Sequence, residues 1–437
     1  MNSELQNIKD DGFEEGKKVN RPQLTEGMTR IMFDSNGKTI LDGQSGWDEN
    51  NWYSYETEDN NKNWANTQTQ DGSMWVWIPR FAYKITYTDP NDKSQGGSID
   101  VKFLIGTTDN YYDGEQIKTA QRQKTPDQKI DTTADYTVHP AFTNETSINY
   151  ANGGWKQEIR GFWMAKFESG LPDETTAPKT SYGTDLYYPV YQGQKDSYNN
   201  ITISQSFLLA KAVSEPGNPY GIANADSHLI KNSEWGAVAY LSYSQYGKTG
   251  GRYQSTTEEE KAKEVYMNNV SLNGTKQSVR NRGVYAVTGY AGSTASAGQN
   301  TLTSTKLSDE VTGTGTSYAW YTNNGRQAST TGTIYGVYDM SGGLYENTCG
   351  YVKNKTLRGY LESFGASFVF KDSTKTEYVG NTPYVMEYPE YASGGLQTAL
   401  EEIGRYGDGY AETWGWVGDN VDDNASGPFC TRGRLLG

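Results

Sequence analysis

DGSMWVWIPRFAYKITY, residues 71–87, is the stretch on which the fold turns. Aromatic, aliphatic and β-branched residues run through it almost without a break, between turn signals at Asp71-Gly72 and Asp89-Pro90-Asn91. Such a run, with no 3.6-residue period, predicts a buried β-strand. On its N-terminal side, residues 28–70 alternate short strand-like runs (RIMF, KTIL) with Asn/Asp-rich turns and three tryptophans, Trp47, Trp52 and Trp64. Residues 1–27 are charged and nearly free of aromatics, with Leu5, Ile8 and Phe13 able to line one short helix face, as in a linker or attachment arm. On its C-terminal side, residues 89–135 are polar and turn-rich around one strand candidate, SIDVKFLIG, and are expected to form an insertion.

Further along, IRGFWMAKFESG (159–170) predicts a second strand, and SYNNITISQSFLLAKAV (197–213) carries apolar residues at helical spacing. DSHLIKNSEWGAVAYLSYSQYG (226–247) is the clearest helix, with Ile230, Ala237, Val238 and Leu241 on one stripe. Asn232 or Ser233 is its expected N-cap and Gly247 its stop. Gly/Ser/Thr-rich stretches follow at 289–317 and 322–333. GTIYGVYDM, LRGYLES and ASFVF are the late strand candidates, and LQTALEEIGRYG is a late helix. Few helices among many short strands and long loops make an α+β, loop-rich architecture.

Composition narrows the function classes. Of 437 residues only 34% are hydrophobic, yet 13% are aromatic, with 34 Tyr and 11 Trp. Disordered chains are poor in aromatics, so this chain folds. Such a mix suits recognition of carbohydrate or protein, because Tyr and Trp give large contact area at low entropic cost. A net charge of −14 without a basic run repels phosphate backbones and argues against nucleic acid. No apolar run approaches the ~20 residues of a membrane helix, so no membrane insertion is expected. The first residues lack the apolar core of a signal peptide: either secretion does not use that route or a leader has been removed. Cys349 and Cys430 are two buried free thiols or one bridge, and cannot make a Cys-based zinc site. His139 and His228 are expected to be one surface and one structural residue, which starves metal-hydrolase and Ser-His-Asp chemistry of parts.

Taken in order, five segments resemble the sulfatase-modifying-factor, or formylglycine-generating-enzyme, domain. DGSMWVWIPRF looks like its opening strand and GFWMAKFESG like the strand leading to its first helix. SHLIKNSEWGAVAYLSYSQYG resembles its "EAEWEYAAR" helix through Ser233, Glu234 and Trp235. TIYGVYDMSGGLYEN (333–347) resembles "NxxGLYDMxGNVWEW", and FCTRGR (429–434) the start of "RGGSW". The resemblance implies a C-type-lectin-like fold over residues 71–437. It is nearer still to ligand-display proteins of that fold, such as diversity-generating-retroelement variable proteins and phage tropism determinants. It then implies a non-enzymatic adhesion protein on a phage virion (tail or surface fibre) or a bacterial cell surface. Its partner would be a host-cell glycan or protein receptor, with the N-terminal arm docking to a structural neighbour and a homo-oligomer possible in the assembly. The alternative is a structural assembly protein of a virion or surface filament. The family continues through further strands where this chain stops at GRLLG, so either a partner covers the sheet edge or the chain is a truncated copy.

The enzyme's chemistry does not transfer, because its close cysteine pair is missing: Cys349 and Cys430 are far apart and no CxxxxC pattern exists. The resemblance also implies calcium, held by Asp339 and Glu346, although the family's Asn is Gly343 here. The competing role for both carboxylates is turn capping. The expected binding face is 407–433, where Trp414, Trp416 and Phe429 lie beside Asp419, Asn420, Asp422, Asp423 and Asn424 in a loop without periodicity. There, indoles would stack on sugars or anchor a protein, and carboxylates and amides would bond hydroxyls. The acidic run is otherwise a solvated loop. Tyr318, Trp320 and Tyr321 form a second candidate surface, whereas Trp75, Trp77, Phe162, Trp163 and Trp235 are expected in the core.

Overall fold

The computed structural model describes residues 12–58, 61–123, 128, 130–144, 153–172, 187–199, 201, 203–253, 257–273, 284–303, 306–352, 384–388, 406–409, 412 and 429–432. Along the chain, β1 (Thr29–Phe33), β2 (Thr39–Leu41), β3 (Asn66–Gln68) and β4 (Met74–Pro79) are followed by β5 (Phe81–Tyr87), β6 (Gly97–Phe103) and β7 (Thr137–Val138). Then come β8 (Gly161–Ala165), helices α1 (Ile203–Ala212) and α2 (Asn232–Ser242), and β9 (Arg252–Tyr253). One antiparallel sheet has the order β8-β4-β3-β1-β2 and a second the order β7-β5-β6-β9. A third sheet places β10 (Glu346–Val352) between β11 (Met386–Tyr388), parallel to it, and β12 (Phe429–Arg432), antiparallel. With three α-helices among the described residues, counting Glu258–Ala262, the chain is sheet-rich with few helices, an arrangement compatible with α+β or mostly β.

The run at 71–87 thus forms two strands in two sheets, where one was expected. Proline at the end of β4 has no N–H to extend the ladder. The next residue changes partners: Arg80 N donates to Arg160 O, and Arg80 O accepts from Leu104 N. Its guanidinium is fully buried, donates to Thr108 O and Phe142 O, and pairs with Asp109 and Glu158. SIDVKFLIG is realised as β6, whose Ile99, Val101 and Phe103 join the main core beside Trp77, Tyr83 and Trp235.

Helix α2 lies where the apolar stripe placed it, but every one of its residues is buried. Its N-cap is Lys231, one residue before the expected pair, because Glu234 reaches back to accept from Lys231 N at 2.9 Å. It ends at Ser242, well before Gly247. GTIYGVYDM is turns, not a strand. Lys166 Nζ takes the carbonyls of Ile334 (2.6 Å) and Gly336 (2.9 Å), so they are not available to a ladder. LRGYLES, ASFVF and all but the last two residues of LQTALEEIGRYG lie outside the described residues.

Candidate ligand-binding groove

Segments resembling the family's motifs meet one another. Lys166 of GFWMAKFESG is fully buried, donates to Asn66 Oδ1, Ile334 O and Gly336 O, and lies over the rings of Phe33, Trp320 and Tyr338. Burial pushes its pKa well down, while all three of its protons are engaged. At the C-terminal motif, Arg432 stacks 4.5 Å from the Trp235 ring and donates to Asn232 Oδ1 and Asp408 O. Trp320 is thereby core and not surface: it packs on Phe33 and Phe167. Tyr318 and Tyr321 beside it are half-buried, and Tyr321 donates to Asp309.

Asp339 has left-handed backbone (φ 63°), which a short polar side chain tolerates. Its buried carboxylate accepts from Gly289 N, Asn268 Nδ2 and Glu168 N, and burial still raises it to about 6. Next to it, Glu168 Oε2 accepts from Ser197 Oγ and Leu344 N. Burial, then Glu346 and Asp339, push the Glu168 carboxyl well above the ordinary range. Gly343 has left-handed backbone (φ 74°), and a Cβ there would sit 2.7 Å from Glu168 Oε2, so the loop favours glycine at this position. Among the described residues no group of three or more His, Cys, Asp or Glu is arranged to hold a metal.

Glu168 and Glu346 line a groove of about 910 Å³ between β8, α1 and the segments around 23–28 and 224–230. Trp163, expected in the core, is half-buried on its wall, with Nε1 donating to Gln23 O at 2.7 Å. As the end member of its sheet, β8 is packed against a neighbouring strand on one side alone. Trp75, Trp77, Phe162 and Trp235 are core as expected. Trp155, also half-buried and lining the groove, stacks edge-on against His228, which also packs against Tyr384. His228 Nε2 meets Glu234 at 3.0 Å, and Lys231 Nζ meets the same carboxylate at 3.1 Å. Against burial, which alone would raise it, contacts with His228 and Lys231 hold Glu234 down at about 2. His228 Nδ1 is buried without a partner. Neither histidine is on the surface: His139 is enclosed by Phe81, Tyr83, Phe142 and Tyr240, and burial lowers it to about 3. Cys349 is a free buried thiol that burial pushes well up, and its N–H donates to Ile230 O.

Trp414, Trp416, Asp419, Asn420, Asp422, Asp423 and Asn424 lie outside the described residues, and Phe429 begins β12. The approach to that segment is anchored from within: Glu412 is buried and accepts from Tyr83, Tyr240 and Gly407 N. The groove itself was missed by sequence reading. Its lining comes from stretches scattered between residues 23 and 347, and the signal nearest to it was the aromatic run at 162–163. Compared with protein-family models and with curated proteins, the chain matches none.

Proposed function

We propose that the protein is a non-enzymatic recognition protein, displayed on a phage virion or bacterial surface, that binds a glycan or protein on a cell. One observation carries this reading: half-buried Trp155 and Trp163 both line a groove of about 910 Å³ that also presents carboxylates. Ligand sites combine concave, largely apolar walls with a few placed polar groups, and aromatics held by a scaffold supply most of the binding energy. A thiol kept protonated in the interior is a poor nucleophile, so Cys349 offers no covalent chemistry. The C-type-lectin-like assignment is supported by the contacts between its motifs, Lys166 on the 333–338 turn and Arg432 on Trp235. Calcium belongs to the same reading, with Asp339 and Glu346 as its carboxylates.

The test compares binding to bacterial cells and to a glycan array with thermal melting for Trp155→Ala and Trp163→Ala, with Trp414→Ala and Trp416→Ala alongside. Loss of ~2 kcal/mol or more of binding energy at an unchanged melt identifies an anchoring residue. Full binding by all four variants would remove the recognition reading.

A further inference from the structure

β8 is an outer strand with a regular register. Arg80 N donates to Arg160 O and Lys166 N to Met74 O, so the even-numbered residues turn their amides to β4. Gly161, Trp163 and Ala165 turn theirs the other way. No described residue pairs with those outward N–H and C=O groups. All three residues are partly exposed and all three line the groove. Sheet edges are usually blunted by charge, proline or a bulge. GFWMA has no charged residue or proline, and its pairing with β4 runs without a shift.

We infer that the groove binds an extended polypeptide segment bearing lysine or arginine, which adds to β8 as a sixth strand of the first sheet. The inference rests on the recognition reading and narrows its ligand to a cationic peptide. The repeat of the edge selects the backbone partner. Donor and acceptor recur every second residue, ~6.6 Å apart, which matches another strand and not the hydroxyls of a sugar. Charge selects the side chains. Glu26, Glu168, Asp226 and Glu346 line the groove, while Lys156 is the only lysine or arginine among its described lining residues. Glu234 is already engaged by His228 and Lys231. Glu168 is the natural contact: it lines the groove, its Oε2 takes two donors, and no described donor reaches Oε1. An arriving ammonium or guanidinium can donate to that oxygen.

The experiment selects binders from a random dodecapeptide display library on the intact protein, with Ala165→Pro as the counter-target. Proline there removes an outward N–H and no bond to β4, a position where edge strands accept it. Selected sequences should carry Lys or Arg at alternate positions. Synthetic copies N-methylated at one alternating set of residues should bind about tenfold or more weakly than copies methylated at the other set. Ala165→Pro should melt like wild type and lose binding to a similar degree. If Ala165→Pro fails to fold, the N-methylated pairs measured on wild-type protein decide alone. Equal binding by both methylated sets, neutral or acidic selected sequences, or no peptide enriched over the counter-target overturns the inference. Trp163-dependent binding to cells together with any of those outcomes would leave the recognition reading standing and remove only the peptide.

Discussion

Glu412→Gln should make the protein more stable near pH 8 and leave it almost unchanged near pH 4. Glu412 is fully buried, where its oxygens accept from Tyr83, Tyr240 and Gly407 N. Burial outweighs those bonds and raises its pKa from the ordinary 4.5 to about 7. The folded state therefore holds a proton that the unfolded chain has released between those two values. Stability linked to this group is fully present below about pH 4.5, falls as pH rises toward 7, and is lost above it. About two and a half pH units at ~1.36 kcal/mol each make ~3 kcal/mol, an order-of-magnitude figure for a buried group. Glutamine keeps the shape: its amide oxygen can accept from Tyr240 and Gly407 N while its NH2 donates to the Tyr83 oxygen. The assay is chemical denaturation of both proteins from pH 4 to 8.5, read as the difference between them, which cancels the other titrating groups. A constant difference across that range would refute the reasoning, since it would mean that Glu412 titrates alike folded and unfolded.

Lys166→Met should cost ~3–5 kcal/mol in the same denaturation assay: it orphans three buried acceptors at ~1–3 kcal/mol each, offset in part by relief of a desolvated charge. A midpoint within error of wild type would mean that the 333–338 turn holds its shape without the ammonium. Trp235→Ala removes a ring that is 2% exposed and stacked under Arg432, and should cost ~3–5 kcal/mol; a wild-type melt would place the ring outside the core. If Asp339 and Glu346 help hold calcium, returning it to chelator-treated protein at ~100 times its dissociation constant should stabilise the fold by ~2.7 kcal/mol. An unchanged melt would leave Asp339 as the cap of its own loop.

Much of the scaffold was legible in the sequence, for a local reason. Continuous burial of Trp75, Val76, Trp77 and Ile78 demands an unbroken apolar run, and the α2 stripe is a periodic one, so both are written in consecutive residues. The aromatic-rich composition likewise pointed to a folded chain, and the sequence of short apolar runs and turn signals to one rich in strands and loops with few helices. What the sequence could not carry were choices made by distant partners. The division of residues 71–87 between two sheets depends on Arg160 and Leu104, which meet Arg80 only in the folded chain. GTIYGVYDM has the composition of a strand, and Lys166, far away in sequence, makes it a turn by taking its carbonyls. Lys231 became the cap of α2 because Glu234 is drawn between His228 and Lys231. Trp163 looked like core because strand composition says nothing about which strand is outermost, and that position opened the groove and its unpaired edge. Side-chain type and period are properties of neighbours in sequence. Sheet order, edge exposure and the meeting of charges depend on which distant segments lie side by side, and only tertiary structure decides that.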